Sequence, residues 1–170
     1  MAGRELTVSR LVRAPRRRVW ATLADIEQAP DIFRGVTRTE RLQGRGFGTG
    51  AQWRETRRLF GKEETQTLEV AEATRFRSAT VVSRSSGVDY RTVYTLESSD
   101  GGTLVTVCFG ASHPDPNLLQ RLTATLFGHV GAAVTTRLLN QDLADLASYV
   151  EGRAGRPDGG RVPRGGRAAG

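Results

Sequence analysis

The segment 115–150 places the strongest constraint on the fold of this 170-residue chain, because its sequence predicts one long helix. Asp115 can cap the N-terminus, and Pro116 stands at the first helical position, where the backbone N–H has no helical partner in any case. Apolar side chains then recur at helical spacing at Leu119, Leu122, Leu126, Val130, Ala133, Leu139, Leu143, Leu146 and Val150. Such a helix spans about 50 Å, so an extended surface must cover its apolar side.

Two glycines interrupt the regularity of this helix. Gly128 and Gly131 flank His129 and Val130, and each glycine costs about 1 kcal/mol relative to alanine inside a helix. We therefore expect the helix to bend or lift here. If a sheet encloses a cavity against this helix, the bend forms its entrance, and Leu126 and His129 lie over the cavity. A single helical histidine is also commonly structural or exposed, and the sequence leaves both interpretations of His129 open.

The chain ahead of this helix is mostly strand. Alternation over 5–12 predicts a first strand, and Pro15 opens a short helix over 16–23. Asp25 with Gln28 resembles the capping box of a second, very short helix. Period-two alternation then predicts six further strands at 36–43, 51–60, 63–71, 75–83, 88–97 and 103–111. Their short connections favour an antiparallel meander.

Composition indicates a globular protein without a cofactor. The chain is 38% hydrophobic and 25% charged, no run approaches the roughly 20 apolar residues of a membrane span, and the polar N-terminus predicts no signal peptide. Cys108 is the only cysteine and there are two histidines, so no intramolecular disulfide forms and no metal-ligand cluster or hydrolase triad is recognisable. We therefore expect no metal, no cofactor, no membrane insertion and a cytoplasmic location.

The net charge of +7 invites a nucleic-acid partner, but much of the charge lies in the tail. Residues 152–170 hold five arginines and one aspartate, a net charge of +4, whereas residues 1–151 hold 20 basic and 17 acidic residues, a net charge of +3. The tail has no aromatic rings to stack on bases, and its glycine and proline content predicts disorder. We therefore assign 1–151 to one folded domain and 152–170 to a solvated tail, with a contact to RNA or to an acidic surface as the alternative.

The predicted strand 51–59 places charged side chains on its inward face. Alternate side chains point to opposite sides of a strand. The even-numbered positions 52–58 are all polar and must face solvent, so Trp53, Glu55 and Arg57 point inward. Burying charge in a dry core costs several kcal/mol per ion. The carboxylate and the guanidinium therefore either pair with each other in a packed core or line a wet cavity.

The same alternation places aromatic, hydroxyl and amide side chains on the inward face of the other strands. The inward positions are Gln66, Leu68, Val70, Phe76, Ser78, Thr80, Val82, Val88, Tyr90, Thr92, Tyr94, Leu96, Val105, Val107 and Phe109, with Glu64 at the margin. A packed core would be more aliphatic, whereas ligand pockets are mostly apolar with a few placed polar groups. We predict a pocket, with a core holding a satisfied ion pair as the alternative. The predicted ligand-binding residues are Trp53, Glu55, Arg57, Gln66, Phe76, Tyr90, Thr92, Tyr94, Val107, Phe109, Leu126 and His129.

The glycine-rich loop 44–50 could be mistaken for a phosphate cradle. Such a cradle must lead from a strand into a helix N-terminus, whereas this loop joins two predicted strands. We interpret it as a mobile hairpin whose glycines give the backbone freedom. Phe47 at its tip must cover something, because an apolar ring on a flexible loop is otherwise left in water.

Several short motifs accompany this order of elements: AP at 14–15 followed by Val19, Trp20, Leu23 and Asp25, then GTGAQWRE at 48–55, FGKE at 60–63, YRTVY at 90–94 and GTLVTV at 102–107. In these the chain resembles, over about 5–150, the START-like (SRPBCC) superfamily, which includes polyketide cyclase/dehydrase-like and coenzyme-Q-binding-type proteins. The resemblance implies an α+β helix-grip fold, in which a curved seven-stranded antiparallel sheet wraps around a long C-terminal helix, two short helices follow strand 1, and a deep hydrophobic cavity lies inside. Members bind lipids, sterols, aromatic polyketides or quinones, and some cyclise or dehydrate polyketides.

Three functions are consistent with these features. The first is binding of a small hydrophobic molecule (aromatic, polyketide-like or lipid), whose carbonyl or hydroxyl Glu55 and Arg57 would orient. The second is polyketide cyclisation or dehydration in the same cavity, with Arg57 stabilising an enolate oxygen and Glu55, Tyr94 or His129 moving protons. The third is a non-catalytic interaction module with a filled cavity. A nucleic-acid partner is disfavoured, and the oligomeric state stays open.

Overall fold

The computed structural model describes residues 5–85, 87–112, 117 and 129–154 of the chain. The strands within these ranges are β1 Glu5–Val12, β2 Val36–Gln43, β3 Gln52–Leu59, β4 Lys62–Thr74, β5 Ser78–Ser85, β6 Val88–Ser99 and β7 Gly102–Ser112. The helices are α1 Arg16–Ala24, α2 Ala29–Ile32 and α3 His129–Ala154, and a 3₁₀ turn at Ile26–Gln28 precedes α2.

The strands form one antiparallel sheet in the order β1-β7-β6-β5-β4-β3-β2. From β2 to β7 each strand pairs with the next one along the chain, as the short connections predicted, and β1 pairs with β7 at the far edge. The sheet curves around α3, and the concave face and the helix share one hydrophobic core. The predicted α+β helix-grip fold is therefore confirmed.

Helix α3 packs its second half against the sheet. Leu143, Leu146 and Val150 are buried there, as the helical spacing predicted, whereas Ala133 is exposed. The helix continues to Ala154, four residues beyond the predicted end. No helix in the described ranges is long and apolar enough to cross a membrane.

Part of the helix prediction lies outside the described residues. This holds for Asp115, Pro116, Leu119, Leu122, Leu126 and Gly128, for the side chains of His129 and Val130, and for 155–170 of the tail. Asn117 and the residues from His129 onward are helical. The bend at the two glycines and the disorder of the tail stay predictions.

The register prediction for β5 was wrong. Ala79 and Val81 face the core, in place of the predicted Ser78, Thr80 and Val82. The β4–β5 turn spans 75–77, where Phe76 has a φ of 64°. Because a left-handed residue interrupts the alternation of side chains, the inward ring at 76 is no guide to the faces of the strand that follows. The proposed capping box is also absent, since the Asp25 side chain makes no capping hydrogen bond.

The β3–β4 hairpin tip is strained. Phe60 is 81% exposed with a φ of 51°, and Gly61 follows with a φ of 80°. Two successive residues with positive φ values are typically Asn-Gly. A bulky residue in this left-handed conformation lowers stability by about 1–2 kcal/mol. We predict that Phe60→Asn raises the free energy of unfolding by about 0.5–1 kcal/mol, measured by urea denaturation. Phe60→Leu keeps the strain and should leave stability unchanged; a loss in Phe60→Asn would show that the ring makes stabilising contacts.

Candidate functional site

A cluster of three charged side chains lies between the concave face and α3. Arg57 donates through Nε to Glu55 Oε1 at 2.6 Å and through Nη1 to Asp142 Oδ2 at 2.8 Å. Trp53 Nε1 donates to the second Glu55 oxygen at 3.2 Å. One guanidinium therefore joins a carboxylate of β3 to a carboxylate of α3. Within the described ranges, no three His, Cys, Asp or Glu side chains form a group that could hold a metal ion.

The cluster is deep in the molecule and still accessible. The Arg57 and Asp142 side chains keep 30% and 25% of their surface, and Glu55 keeps 13%. We call the space between the concave face and α3 from which solvent reaches the Arg57 and Asp142 side chains the recess. Glu55 and Arg57 pair with each other, which is one of the two alternatives that the sequence left open, and both side chains keep some contact with solvent. The predicted ligand pocket stays a prediction.

Burial and mutual charge set the ionisation of the cluster. Burial raises the pKa of Asp142 above its ordinary value, although the Arg57 charge opposes this shift. Burial disfavours the Arg57 cation, but Asp142 and Glu55 outweigh it and raise the pKa of Arg57. Burial, reinforced by the charge of Asp142, also raises the pKa of Tyr94. The recess thus presents a permanent cation, a carboxyl group that retains its proton more readily than usual, and a neutral phenol.

The Tyr94 hydroxyl lies near the charged cluster, because the charges of Asp142, Arg57 and Glu55 all act on it. The hydroxyl makes no hydrogen bond to any described residue. Within the described ranges, no fully buried side-chain polar atom lacks a hydrogen-bond partner. Tyr94 lies on the concave face in β6, where it pairs with Val107 of β7 and with Ala79 of β5. A phenol O–H close to a cation can donate to a carbonyl oxygen.

Aromatic and polar side chains continue from the cluster across the concave face of the sheet. Trp53, Leu68, Ser83 and Tyr90 form one row across β3 to β6. Ser83 Oγ donates to Gln66 at 3.3 Å, and the Tyr90 ring stacks on Phe109 with centroids 6.0 Å apart. The structure thus places nine of the predicted ligand-binding residues on the concave face: Trp53, Glu55, Arg57, Gln66, Tyr90, Thr92, Tyr94, Val107 and Phe109.

The other predicted ligand-binding residues are not brought into this group. Phe76 lies in the β4–β5 turn, where its ring contacts Trp20 edge-on at 6.3 Å. The Arg17 and Arg75 guanidinium groups lie 5.4 Å and 4.6 Å from its centroid. Leu126 and the His129 side chain fall outside the described residues, so their part in binding stays a prediction.

Sequence reasoning missed Asp142. This residue follows Leu139 by three positions and precedes Leu146 by four, so it lies on the apolar stripe of the helix. A carboxylate on such a stripe needs a partner when it is buried, and the inward-facing Arg57 was the available one. The signal was present in the helical spacing, but it required the strand and the helix to be considered together.

On the core side of Trp53 and Tyr94, Phe47 of the glycine-rich loop packs against both rings, and we take this ring as the inner end of the recess. Phe47 is 6% exposed, and its ring centroid lies 5.9 Å from that of Trp20 and 6.0 Å from those of Trp53 and Tyr94. The expectation that this ring covers something is confirmed. Arg41 holds the loop, since its Nη1 donates to the Gly46 carbonyl at 3.0 Å.

Comparison with known proteins agrees with this architecture. The sequence profile of a family described as "Polyketide cyclase / dehydrase and lipid transport" matches residues 4–151. The chain belongs to this family. No curated protein matches the sequence significantly.

Solved structures resemble this polyketide cyclase/dehydrase family member at low sequence identity. TTHA0849 from Thermus thermophilus is 17% identical with a TM-score of 0.71, covering 89% of this chain and 99% of its own. The Zhui aromatase/cyclase from Streptomyces sp. R1128 is 20% identical with a TM-score of 0.69, covering 94% and 99%. The di-domain ARO/CYC StfQ from the steffimycin biosynthetic pathway is 11% identical with a TM-score of 0.69, covering 89% and 52%. These similarities establish the shared fold alone.

Proposed function

We propose that this protein binds a small hydrophobic molecule, aromatic or polyketide-like, that carries a carbonyl or hydroxyl group. The accessible cluster of Glu55, Arg57 and Asp142 beneath α3 carries the proposal. Replacing a buried ion pair by well-packed apolar residues is often neutral or stabilising, so stability alone gives little reason to keep three charges here. Recognition of a polar group on an otherwise apolar ligand does give such a reason.

The arrangement suits a flat ligand with one polar end. The Trp53 and Tyr94 rings flank the inner part of the recess, and the stacked Tyr90 and Phe109 rings supply an apolar wall further along the sheet. A ligand carbonyl near Arg57 would accept from the guanidinium and from the Tyr94 hydroxyl. A fused ring system would lie against the aromatic walls, where ring contacts contribute beyond simple burial.

The cellular location of the protein and the solvated state of its tail are inferred from the sequence, and both form part of the proposal. The free Cys108 is compatible with the reducing cytoplasm, where we place the protein. The domain 1–151 would act alone on a small molecule, and the tail 152–170 would stay solvated. Nucleic acid is not the proposed partner.

Titration with naphthol, followed by tryptophan fluorescence and by melting temperature, tests the binding proposal. Wild-type protein should bind, and Tyr94→Phe should weaken binding about 3- to 10-fold, because one hydrogen bond to the ligand hydroxyl is lost. Tyr149→Phe is the matched control, since its hydroxyl bonds Gln28 at 2.8 Å away from the recess, and it should bind naphthol normally. Absence of binding by wild type, or equal losses in the two variants, would contradict the proposal.

A second function, cyclisation of a linear polyketone, is favoured by the raised pKa of Asp142 beside Arg57. In this reaction an α-carbon loses a proton, the resulting enolate carbon bonds to a ketone carbon of the same chain, and the alkoxide formed takes up a proton. Loss of water then yields an aromatic ring, and no oxidant is consumed. Arg57 would stabilise the enolate oxygen, and Asp142 or Tyr94 would protonate the alkoxide; Glu55 and His129 remain further candidates for proton transfer.

A further inference from the structure

We propose that Phe47 determines the size of the ligand, by acting as a movable plug at the inner end of the recess. The inference rests on the proposed ligand binding and names the residue that limits which ligand sizes the protein accepts. The Phe47 ring contacts both Trp53 and Tyr94, with centroids 6.0 Å apart in each case. Trp53 in turn donates to Glu55 of the charged cluster. Phe47 therefore lies directly behind the side chains that would hold the polar end of a ligand.

Displacing this ring would lengthen the recess inward. Beyond Phe47 stands Trp20 of α1, 7% exposed, with its ring centroid 5.9 Å from that of Phe47. Trp20 would become the new end wall, so the gain in depth corresponds to about one aromatic ring. A ligand with one more fused ring would then fit in the same orientation.

The backbone around Phe47 differs from that of an ordinary core residue. Trp20 and Trp53 are fixed by α1 and β3, whereas Phe47 lies on the loop 44–50 between glycines. At Gly44 the φ is 73°, and an added Cβ would approach the Ala51 Cα to 2.8 Å, so only glycine fits there. Within the described ranges, Phe47 makes no backbone–backbone hydrogen bond. The ring is thus held mainly by its packing.

One side chain positions the plug. Arg41 donates to both oxygens of Glu27, at 2.8 Å and 3.1 Å, and through Nη1 to the Gly46 carbonyl at 3.0 Å. Arg41 is only 18% exposed. The Arg41 guanidinium thus connects Gly46, the residue before Phe47, to Glu27 of the 3₁₀ turn. Lysine cannot reproduce these three contacts. Arg41 is therefore a positioning residue for the plug.

The experiment measures the affinity ratio of anthrol, with three fused rings, to naphthol, with two, by fluorescence titration of the full chain. Phe47→Ala should raise this ratio at least about 10-fold over wild type, the scale on which pocket size discriminates apolar groups. Phe47→Leu, the milder variant in case Phe47→Ala does not fold, should raise it about 3-fold. Arg41→Lys keeps the ring and should shift the ratio in the same direction by a smaller factor.

The matched control is Phe33→Ala. Phe33 packs against the same core but forms no ring contact with Trp53 or Tyr94, so its loss should leave the ratio unchanged. An unchanged ratio in both Phe47 variants, or an equal shift in Phe33→Ala, overturns the role of Phe47 while ligand binding stands. Failure of wild type to bind either probe overturns the proposed function, and the inference with it.

Discussion

Replacing Arg57 with methionine should lower the free energy of unfolding by about 3 kcal/mol, because it leaves two carboxylates facing each other without their cation. Arg57 bonds Glu55 at 2.6 Å and Asp142 at 2.8 Å. Methionine retains most of the apolar stem, so the loss measures the charge rather than the packing. The side chain keeps 30% of its surface, and this access to solvent places the expected value at the low end for a buried pair.

The same strand provides the control. Arg54 points to the opposite face and pairs with Glu40 at 3.1 Å, with the two side chains 50% and 47% exposed. Such surface pairs contribute about 0–1 kcal/mol, so Arg54→Met should cost at most about 0.5 kcal/mol in urea or thermal unfolding. Equal losses in the two variants would contradict the distinction between a recess cluster and a surface pair.

The Arg57→Met deficit should also depend on pH. Arg57 opposes the upward shift in the pKa of Asp142 that burial causes, so its removal raises that pKa further. A carboxyl group whose folded-state pKa is raised contributes stability that is present in acid and lost as pH rises through that pKa. The deficit should therefore be smallest near the ordinary aspartate value of 3.8 and grow toward neutral pH.

The fold was predictable because its determinants are periodic. Alternation in the strands and the apolar spacing at Leu143, Leu146 and Val150 are local signals, and the core uses them as predicted. The prediction for β5 failed where local periodicity is interrupted, at the left-handed Phe76. Because an aromatic residue there carries no turn signal, the sequence pattern placed the ring in a strand.

The candidate site was only half predictable, since it joins distant segments. The inward positions of Glu55 and Arg57 followed from one strand, but Asp142 is 85 residues from Arg57 in sequence. Its contact depends on how α3 lies across the sheet. Phe47 was recognised as a ring that must cover something, whereas its contacts with Trp53 and Tyr94 depend on the inward fold of the loop. Pairings of this kind become visible only when the elements are assembled.

Asp142 and Asp145 lie one turn apart on α3, and we expect substitutions of the two to have different effects: Asp145 on stability and Asp142 on catalysis. Asp145 is 4% exposed at its side chain and accepts from the backbone N–H of Arg34 at 3.1 Å, from Arg34 Nε at 2.9 Å and from Gln141 Nε2 at 2.9 Å. Asp145→Ala should lower the free energy of unfolding by about 3 kcal/mol, since it removes several charge-assisted hydrogen bonds and leaves donors unpaired. Chemical denaturation measures this loss.

Asp142→Asn should give the opposite pattern. The raised pKa of Asp142 means that its ionised form is disfavoured in the folded state, and asparagine can still accept from Arg57. The variant should therefore be as stable as wild type at neutral pH, or slightly more stable. Its stability relative to wild type should rise with pH above the ordinary value of 3.8, because wild type alone must then ionise this group.

The activity of the Asp142→Asn and Asp145→Ala variants is measured by the conversion of diacetylacetone to orcinol. This reaction is an intramolecular cyclisation that releases one water. If the recess catalyses polyketone cyclisation, wild type should accelerate this conversion, and Asp142→Asn should slow it about 100-fold or more through loss of the proton donor. Asp145→Ala, assayed below its melting temperature, should retain the rate. No acceleration by wild type would reject catalysis and leave binding to be decided by naphthol. A full rate in Asp142→Asn would instead show that another group transfers the proton. Tyr94→Phe would then be the variant to assay, because the Tyr94 hydroxyl is the other protonated donor of the recess.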